Sequence, residues 1–122
     1  MAETFQQQRG LRRLVNAFRY SLQGLAATYR HEEAFRLEVW SLPVLVPLAV
    51  WLADSALELA ALLGAVLFVM IVELLNTAVE SAIDRIGSEP HPLSGRAKDQ
   101  ASAAVLLAIV LAAGVWLAVL VD

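Results

Sequence analysis

The sequence predicts an all-α membrane protein, with an amphipathic surface helix followed by three transmembrane helices. Of its 122 residues, 59% are hydrophobic, whereas soluble domains average about 45–50% apolar residues. The apolar residues are gathered in three long runs, and basic residues are concentrated before the first run although the formal net charge is only −3. The arginines that precede the first run are Arg9, Arg12, Arg13, Arg19, Arg30 and Arg36. We therefore expect residues 1–122 to form a single integral membrane domain.

The N-terminal segment, about residues 5–33, is predicted to form the surface helix. Its apolar residues recur at spacings of three and four, as on one face of a helix. They are Leu11, Leu14, Val15, Phe18, Leu22, Leu25 and Tyr29. Arg12, Arg19 and Arg30 fall largely on other faces, which is the pattern of a helix that lies in a membrane interface. Packing on a partner protein is the alternative, but the position just before a span favours the membrane.

The three spans are predicted at about residues 35–53, 58–86 and 97–121. The apolar part of the first is shorter than the roughly 20 residues that a span needs, and it contains Pro43 and Pro47. The third is the clearest, because residues 101–121 contain no charge. Gly87 is expected to end the second helix and Ala97 to begin the third.

The loops predict the orientation of the spans. The first connection, residues 54–58, has no lysine or arginine, whereas residues 84–100 contain Arg85, Arg96 and Lys98. Cytoplasmic loops carry the excess of basic residues. The N-terminus and the second loop are therefore expected in the cytoplasm, and the C-terminus outside.

A polar stripe interrupts the second span. Glu73, Asn76, Thr77, Glu80 and Asp84 are spaced so that they share one helix face. Charged groups at membrane depth are costly and are usually functional. Glu73 is a candidate general base, with an interhelical hydrogen bond as the structural alternative.

Glu80 is a candidate ligand for a divalent cation. Mg²⁺ typically takes one or two carboxylates together with substrate phosphates, and the second carboxylate is either Glu32 or Glu33, between which spacing alone does not decide. Lys98 is either a topology anchor or a phosphate contact.

Three further observations bear on the function and the assembly. The chain has no GxxxxGK[ST] and no GxGxxG motif, so an enzymatic site must be built from helix ends at the bilayer surface. Three spans cannot shield the polar stripe from lipid, and oligomerisation is expected, with Ala104, Ala108 and Ala112 as a small-residue packing face. The absence of cysteine excludes disulfide and thiolate chemistry.

The run VELLNTAVESAIDRIGSEPHPLSGRAKDQASAA, residues 72–104, strongly resembles the prokaryotic diacylglycerol kinase family of small membrane enzymes. The E-x-x-N-[ST]-x-x-E-x-x-x-D pattern of that family is complete in the polar stripe, and the SGRAKD segment at residues 94–99 also matches. Agreement extends to Arg13, Ala17, the Tyr20–Ser21 pair and Glu32. The resemblance covers nearly the whole chain.

The resemblance implies a homotrimeric lipid kinase of the bacterial inner membrane, which transfers phosphate from ATP to diacylglycerol with Mg²⁺ and does not bind nucleic acid. It implies Glu73 as the general base, Glu32 and Glu80 as metal ligands, and Asn76 and Asp84 as supporting residues. The implied ATP contacts are Arg13, Tyr20, Glu32, Glu80, Glu89, Pro90, His91, Lys98 and Asp99. The implied lipid contacts are Arg13, Ala17, Phe18, Arg19, Tyr20, Ser21, Leu22, Ala26, Ala27, Thr28, Tyr29, Ala34, Phe35, Arg36, Leu37, Glu38, Glu73 and Ser102.

Two other functions stay open from the sequence. An undecaprenol kinase would use the same chemistry on a polyprenol, although the compact length and the SEPHPLSGRAKD run favour diacylglycerol. A non-enzymatic subunit of an ion-coupled carrier would use Glu73 and Glu80 as proton or cation sites and would need neither Glu32 nor Lys98.

Overall fold

The protein is a bundle of helices. The computed structural model describes the backbone of residues 2–122 and the side chains from Arg9 onward. The four helices are α1 (Ala2–His31), α2 (Glu33–Leu52), α3 (Ala56–Ile86) and α4 (Pro92–Val121), and residues 2–122 contain no strand. The all-α prediction is confirmed. The last three helices are each long and apolar enough to cross a membrane, which agrees with the three predicted spans.

A single residue separates α1 from α2. The surface helix was expected to reach residue 33, but it ends at His31, and Glu32 has an extended backbone with φ −116° and ψ 112°. The Glu32 N–H donates to the Thr28 carbonyl at 2.8 Å, and the Glu32 carbonyl accepts from the Arg36 N–H at 3.1 Å. We call the segment from Thr28 to Arg36 the elbow. Its backbone hydrogen bonds are satisfied although the helix is interrupted.

Helix α2 is continuous despite two internal prolines, Pro43 and Pro47. A proline has no N–H, so the carbonyl four residues earlier lacks its helical partner. Both prolines are exposed on the outside of the chain. After a short turn, α3 begins with Ser55 as N-cap, whose hydroxyl accepts from the Glu58 N–H at 3.1 Å, while Glu58 Oε2 accepts from the Asp54 N–H at 2.6 Å. These two bonds follow the logic of a capping box.

The α3–α4 hairpin holds most of the interhelical packing. Leu62 is fully buried, and Ala108 is only 2% exposed at the contact between the two helices. The Trp116 Nε1–H donates to the Leu62 carbonyl at 3.2 Å, near the open end of the hairpin. Part of the small-residue face that was expected to mediate association is therefore used within the chain, because Ala108 lets α3 approach α4 closely.

Helix α4 begins at Pro92 rather than at Ala97, where the sequence was expected to start it. Proline is favoured in the first helical turn, because its missing N–H needs no partner there. His91 is the N-cap residue, and its Nδ1 accepts from the Leu93 N–H at 3.1 Å. At the other side of the loop α3 ends before Gly87, as predicted, and the Gly87 N–H donates to the Ile83 carbonyl at 3.3 Å.

Much apolar surface remains uncovered by the chain itself. Leu75 and Leu107 on α3 and α4 are 62% and 68% exposed, and Leu14 and Phe18 on α1 are 69% and 67% exposed. A bilayer or a second copy of the chain is the environment that such surfaces require.

Candidate active site at the ends of the helices

The polar stripe of α3 lies on one face of the helix. Glu73, Asn76, Thr77 and Glu80 are half-buried and Asp84 is exposed. The Asn76 Nδ2–H donates to Glu80 Oε1 at 3.3 Å, and the Thr77 hydroxyl donates to the Glu73 carbonyl at 3.0 Å. The bond from Asn76 orients the Glu80 carboxylate, and that of Thr77 satisfies its hydroxyl within an apolar setting.

Four carboxylates come together around this stripe. Glu32 from the elbow, Glu38 from α2 and Glu80 from α3 are all close enough to interact electrostatically with Glu73. Each of the four side chains is half-buried. Like charges held in a partly desolvated site repel one another strongly. The cluster therefore favours a cation, a proton or both.

Two oxygen atoms of this region have no partner. Glu38 Oε2 and Asn76 Oδ1 are buried and accept no hydrogen bond from any of the described residues. Buried polar atoms in native structures nearly always have a partner. Glu38 lies within hydrogen-bonding reach of Glu73, so a proton shared between the two carboxyl groups, or a polar ligand with its own donors, would satisfy these acceptors.

The cluster can supply only part of a metal coordination sphere. Among the side chains from Arg9 onward, no three histidine, aspartate or glutamate groups converge on one metal position. An all-protein cage is therefore not available in this part of the chain. Two carboxylates, with Glu32 and Glu80 as the predicted pair, match Mg²⁺ that is otherwise coordinated by phosphates and water.

A cleft at the end of the α3–α4 hairpin gathers four of the nine predicted nucleotide contacts. It is lined by Asp84, Glu89, Pro90, His91 and Lys98, with the backbone of Gly87 and Gly95. The Lys98 ammonium is bound to Asp84 Oδ1 at 2.9 Å, the one ion pair among the described side chains. Lys98 also lies within electrostatic reach of Glu80, so the cleft adjoins the carboxylate cluster. Asp99 is exposed beside it.

A groove between α1 and α3 contains a second set of predicted residues. Ser21, Ala27, Thr28 and Glu32 line it, facing Thr77 on α3. The groove thus joins predicted lipid contacts to the elbow carboxylate. The predicted site residues did not include six further lining residues, namely Gly24, Leu25, His31, Leu74, Ala78 and Ser81. For the members on α3, the helical spacing of Leu74, Thr77, Ala78 and Ser81 is the signal that places them on one face.

Other predicted contacts are distributed differently. Arg13 and Tyr20 are exposed on α1 and do not line the α3–α4 cleft. The Arg19 guanidinium lies 5.9 Å from the centre of the Tyr20 ring and donates to Asn16 Oδ1 at 3.1 Å. The exposed members of the predicted lipid set on α1 are Arg13, Ala17, Phe18, Arg19, Tyr20, Ser21, Leu22, Ala26 and Ala27. Those on α2 and α4 are Ala34, Leu37 and Ser102.

Three members of the predicted lipid set have structural contacts at the elbow. Phe35 is 3% exposed and Thr28 is 7% exposed, and the Thr28 hydroxyl donates to the Gly24 carbonyl at 2.8 Å. The Arg36 guanidinium donates to the carbonyls of Tyr29 and Arg30 at 3.0 and 2.8 Å. The bonds from Arg36 join α2 to the last turn of α1, whereas the bond from Thr28 lies within α1.

Comparison with known proteins gives a family match over most of the chain. Residues 19–120 match the family model described as prokaryotic diacylglycerol kinase. The chain is 48% identical to a diacylglycerol kinase of Haemophilus influenzae over 88% of its own length and 91% of that protein. It is 49% identical to one of Escherichia coli K12, with 88% of each chain covered. It is 44% identical to one of Pseudomonas aeruginosa, over 95% of this chain and 94% of the relative.

Proposed function

The chain belongs to the prokaryotic diacylglycerol kinase family, and on that premise we propose how its residues transfer phosphate from ATP to diacylglycerol, which yields phosphatidic acid. It is a membrane-bound lipid kinase. The observation that carries the assignment of the site is the cluster of four carboxylates around Glu73, which adjoins both the cleft that contains Lys98 and the groove beside α1. Phosphoryl transfer depends mainly on positioning and on neutralising phosphate charge.

Glu73 is the proposed general base. Its carboxylate takes the proton of the lipid hydroxyl while that oxygen attacks the γ-phosphorus, and the bond from phosphorus to the bridging oxygen of ADP breaks. Position on the stripe supports this role, because Glu73 lies deeper in the apolar part of α3 than Glu80. A lipid hydroxyl approaches from the bilayer, so the deeper carboxylate meets it first.

Glu32 and Glu80 are the proposed ligands of Mg²⁺. Their oxygen atoms suit this ion, and the shortage of further protein ligands among the described side chains fits a metal that arrives with the nucleotide. When bound, Mg²⁺ would neutralise charge on the phosphates of the nucleotide. Asn76 holds Glu80 by the 3.3 Å hydrogen bond, and Asp84 supports the site through its contact with Lys98.

The nucleotide is proposed to occupy the cleft between the ends of α3 and α4. Lys98 and the backbone around Glu89, Pro90 and His91 would contact the phosphates and the base there, together with Asp99. The ammonium of Lys98 is a mobile point charge suited to phosphate oxygens. Arg13 and Tyr20 would complete the site from α1, and their distance from the cleft within one chain is consistent with contributions from a neighbouring copy.

We further propose a homotrimer in the bacterial inner membrane, with the N-terminus and the α3–α4 loop in the cytoplasm. The half-buried polar stripe and the exposed leucines of α3 and α4 need cover that one chain does not give. Cytoplasmic ATP then reaches the cleft directly. The lipid would enter along α1 through the groove that Ser21 and Thr28 line.

The test measures transfer of labelled γ-phosphate from ATP to lipid by the purified chain in mixed micelles. We expect Mg²⁺-dependent label in phosphatidic acid and a loss of about 10²–10⁴-fold in kcat for Glu73→Gln, the usual contribution of a general base. Glu58→Gln is the matched control, because Glu58 is a carboxylate of the same helix whose partner is the Asp54 N–H.

Three outcomes of this test would contradict the proposal. Undiminished turnover in Glu73→Gln would remove the base assignment. Label in undecaprenol but not in diacylglycerol would keep the chemistry and change the acceptor. No label in either lipid from folded protein would favour the ion-coupled carrier.

A further inference from the structure

We propose that Trp40 is a positioning residue for phosphoryl transfer, acting through the hydroxyl of Tyr29. Its indole Nε1–H donates to the Tyr29 hydroxyl oxygen at 2.8 Å. This bond joins the last turn of α1 to the second turn of α2 and thereby fixes the elbow that carries Glu32. The inference rests on the proposed function, in which Glu32 is a ligand of Mg²⁺.

The position of Glu32 depends on how the two helices meet. Glu32 is the single residue between α1 and α2, and its backbone is extended. A change in the angle between these two helices therefore moves its carboxylate relative to Glu80 on α3. Metal ligands must be held within a few tenths of an ångström of productive geometry. The elbow therefore requires contacts that fix its angle as well as its backbone path.

Few polar contacts fulfil that requirement. Among the side chains from Arg9 onward, three hydrogen bonds join α1 to another helix: two from Arg36 and one from Trp40. Those of Arg36 end on the main-chain carbonyls of Tyr29 and Arg30, at the point of the bend itself. The bond from Trp40 acts farther from the bend, about 12 Å along α2 from Glu32 at 1.5 Å per residue. It therefore has the longer lever arm against a change of angle.

Packing within the chain gives no other reason for the Trp40 indole to lie beside Tyr29. Trp40 is 68% exposed, so the ring does not fill the core of the chain, and Phe35 is the residue that packs beneath the elbow at 3% exposure. Indoles favour the boundary between apolar and polar surroundings when the N–H has a partner. Tyr29 provides that partner.

The experiment removes the hydrogen bond from either side. Trp40→Phe deletes the N–H and keeps an aromatic ring, Tyr29→Phe deletes only the hydroxyl, and the double variant completes the cycle. Trp51→Phe is the matched control, because Trp51 lies at the other end of α2 and is 78% exposed. For each full-length protein in mixed micelles we would measure the Mg²⁺ concentration for half-maximal activity, kcat at saturating Mg²⁺, and the rate of tryptic cleavage after Arg30.

We expect each single variant to raise the half-activating Mg²⁺ concentration about two- to twelvefold, the range for one lost hydrogen bond, with kcat at saturation within twofold for Trp40→Phe. Cleavage after Arg30 should be faster by a similar factor. The double variant should be no worse than either single one, because both remove the same bond, and Trp51→Phe should match the parent chain.

Several results would overturn the inference. Unchanged Mg²⁺ dependence in both single variants, or effects that multiply in the double variant, would show that the bond does not position Glu32. Faster cleavage without a change in Mg²⁺ dependence would reduce Trp40 to a structural residue. Glu32→Gln separates the two proposals: if it leaves Mg²⁺ dependence unchanged, the metal role of Glu32 fails, and cleavage after Arg30, which needs no metal, still decides whether Trp40 holds the elbow.

Discussion

Replacing Trp116 by phenylalanine tests how much the hydrogen bond at the open end of the α3–α4 hairpin contributes to stability. The bond to the Leu62 carbonyl is 3.2 Å long. The carbonyl lies inside α3, where it also accepts the N–H four residues later, so its loss leaves no orphaned acceptor. Interhelical hydrogen bonds in membranes average about 0.6 kcal/mol and reach about 1.7 kcal/mol. We therefore expect a loss of about 0.6–1 kcal/mol in the free energy of unfolding.

Reversible unfolding in mixed detergent micelles, with increasing fractions of a denaturing detergent, measures that loss. Trp51→Phe is the control, because it makes the same ring replacement on an exposed part of α2. Glu73 lies about 16 Å along α3 from Leu62, so the catalytic constants should stay within twofold. A loss of stability equal to that of the control would refute the reasoning, because the hydrogen bond would then contribute nothing. A loss above about 2 kcal/mol would also refute it, because a loss of that size requires a buried polar group left without a partner.

Three further predictions concern packing and the site. Ala108→Leu should destabilise the hairpin by about 1–3 kcal/mol in the same unfolding assay, because Ala108 is 2% exposed and the larger side chain would overpack the contact. Ala103→Leu, at an exposed position of α4, is the control, and an equal loss in both variants would contradict the prediction. Lys98→Gln should lower kcat/KM for ATP at least about tenfold, whereas Arg96→Gln should not. Glu80→Gln should raise the half-activating Mg²⁺ concentration and leave chemical crosslinking between copies unchanged; reduced crosslinking would indicate a structural role.

The number of spans and the polar stripe were predictable from the sequence because both depend on local patterns. Hydropathy over about 20 residues decides whether a helix can cross the bilayer, and helical spacing alone places Glu73, Asn76 and Glu80 on one face. Neither depends on how the helices pack. The ends of helices were less predictable, since the start of α4 depends on a histidine N-cap, and serine, threonine, aspartate and asparagine are the residues that usually indicate one.

Contacts between helices could not be predicted from spacing. That Glu38 approaches Glu73, or that Trp40 reaches Tyr29, depends on the angle at the elbow, and no local pattern encodes that angle. The assignment of Glu32 rather than Glu33 as the inward carboxylate followed only from the resemblance. In the structure Glu32 is half-buried and lines the groove, whereas Glu33 is exposed, which supports the choice. Arg13 and Tyr20 stay predictions, because a single chain leaves both exposed.

The joining of α3 to α4 by five residues has a consequence for how the protein enters the membrane. Within its apolar run, helix α3 carries two carboxylates, Glu73 and Glu80. Each costs about 2.5–3.5 kcal/mol on insertion scales when placed at the centre of a span. Helix α4 has no charge after Asp99 and inserts readily. We expect the two to leave the translocon together as a hairpin, with the later segment carrying the earlier one into the bilayer. The pairing of α3 with α4, which aligns the site in the folded protein, would therefore also help α3 to insert into the bilayer during synthesis.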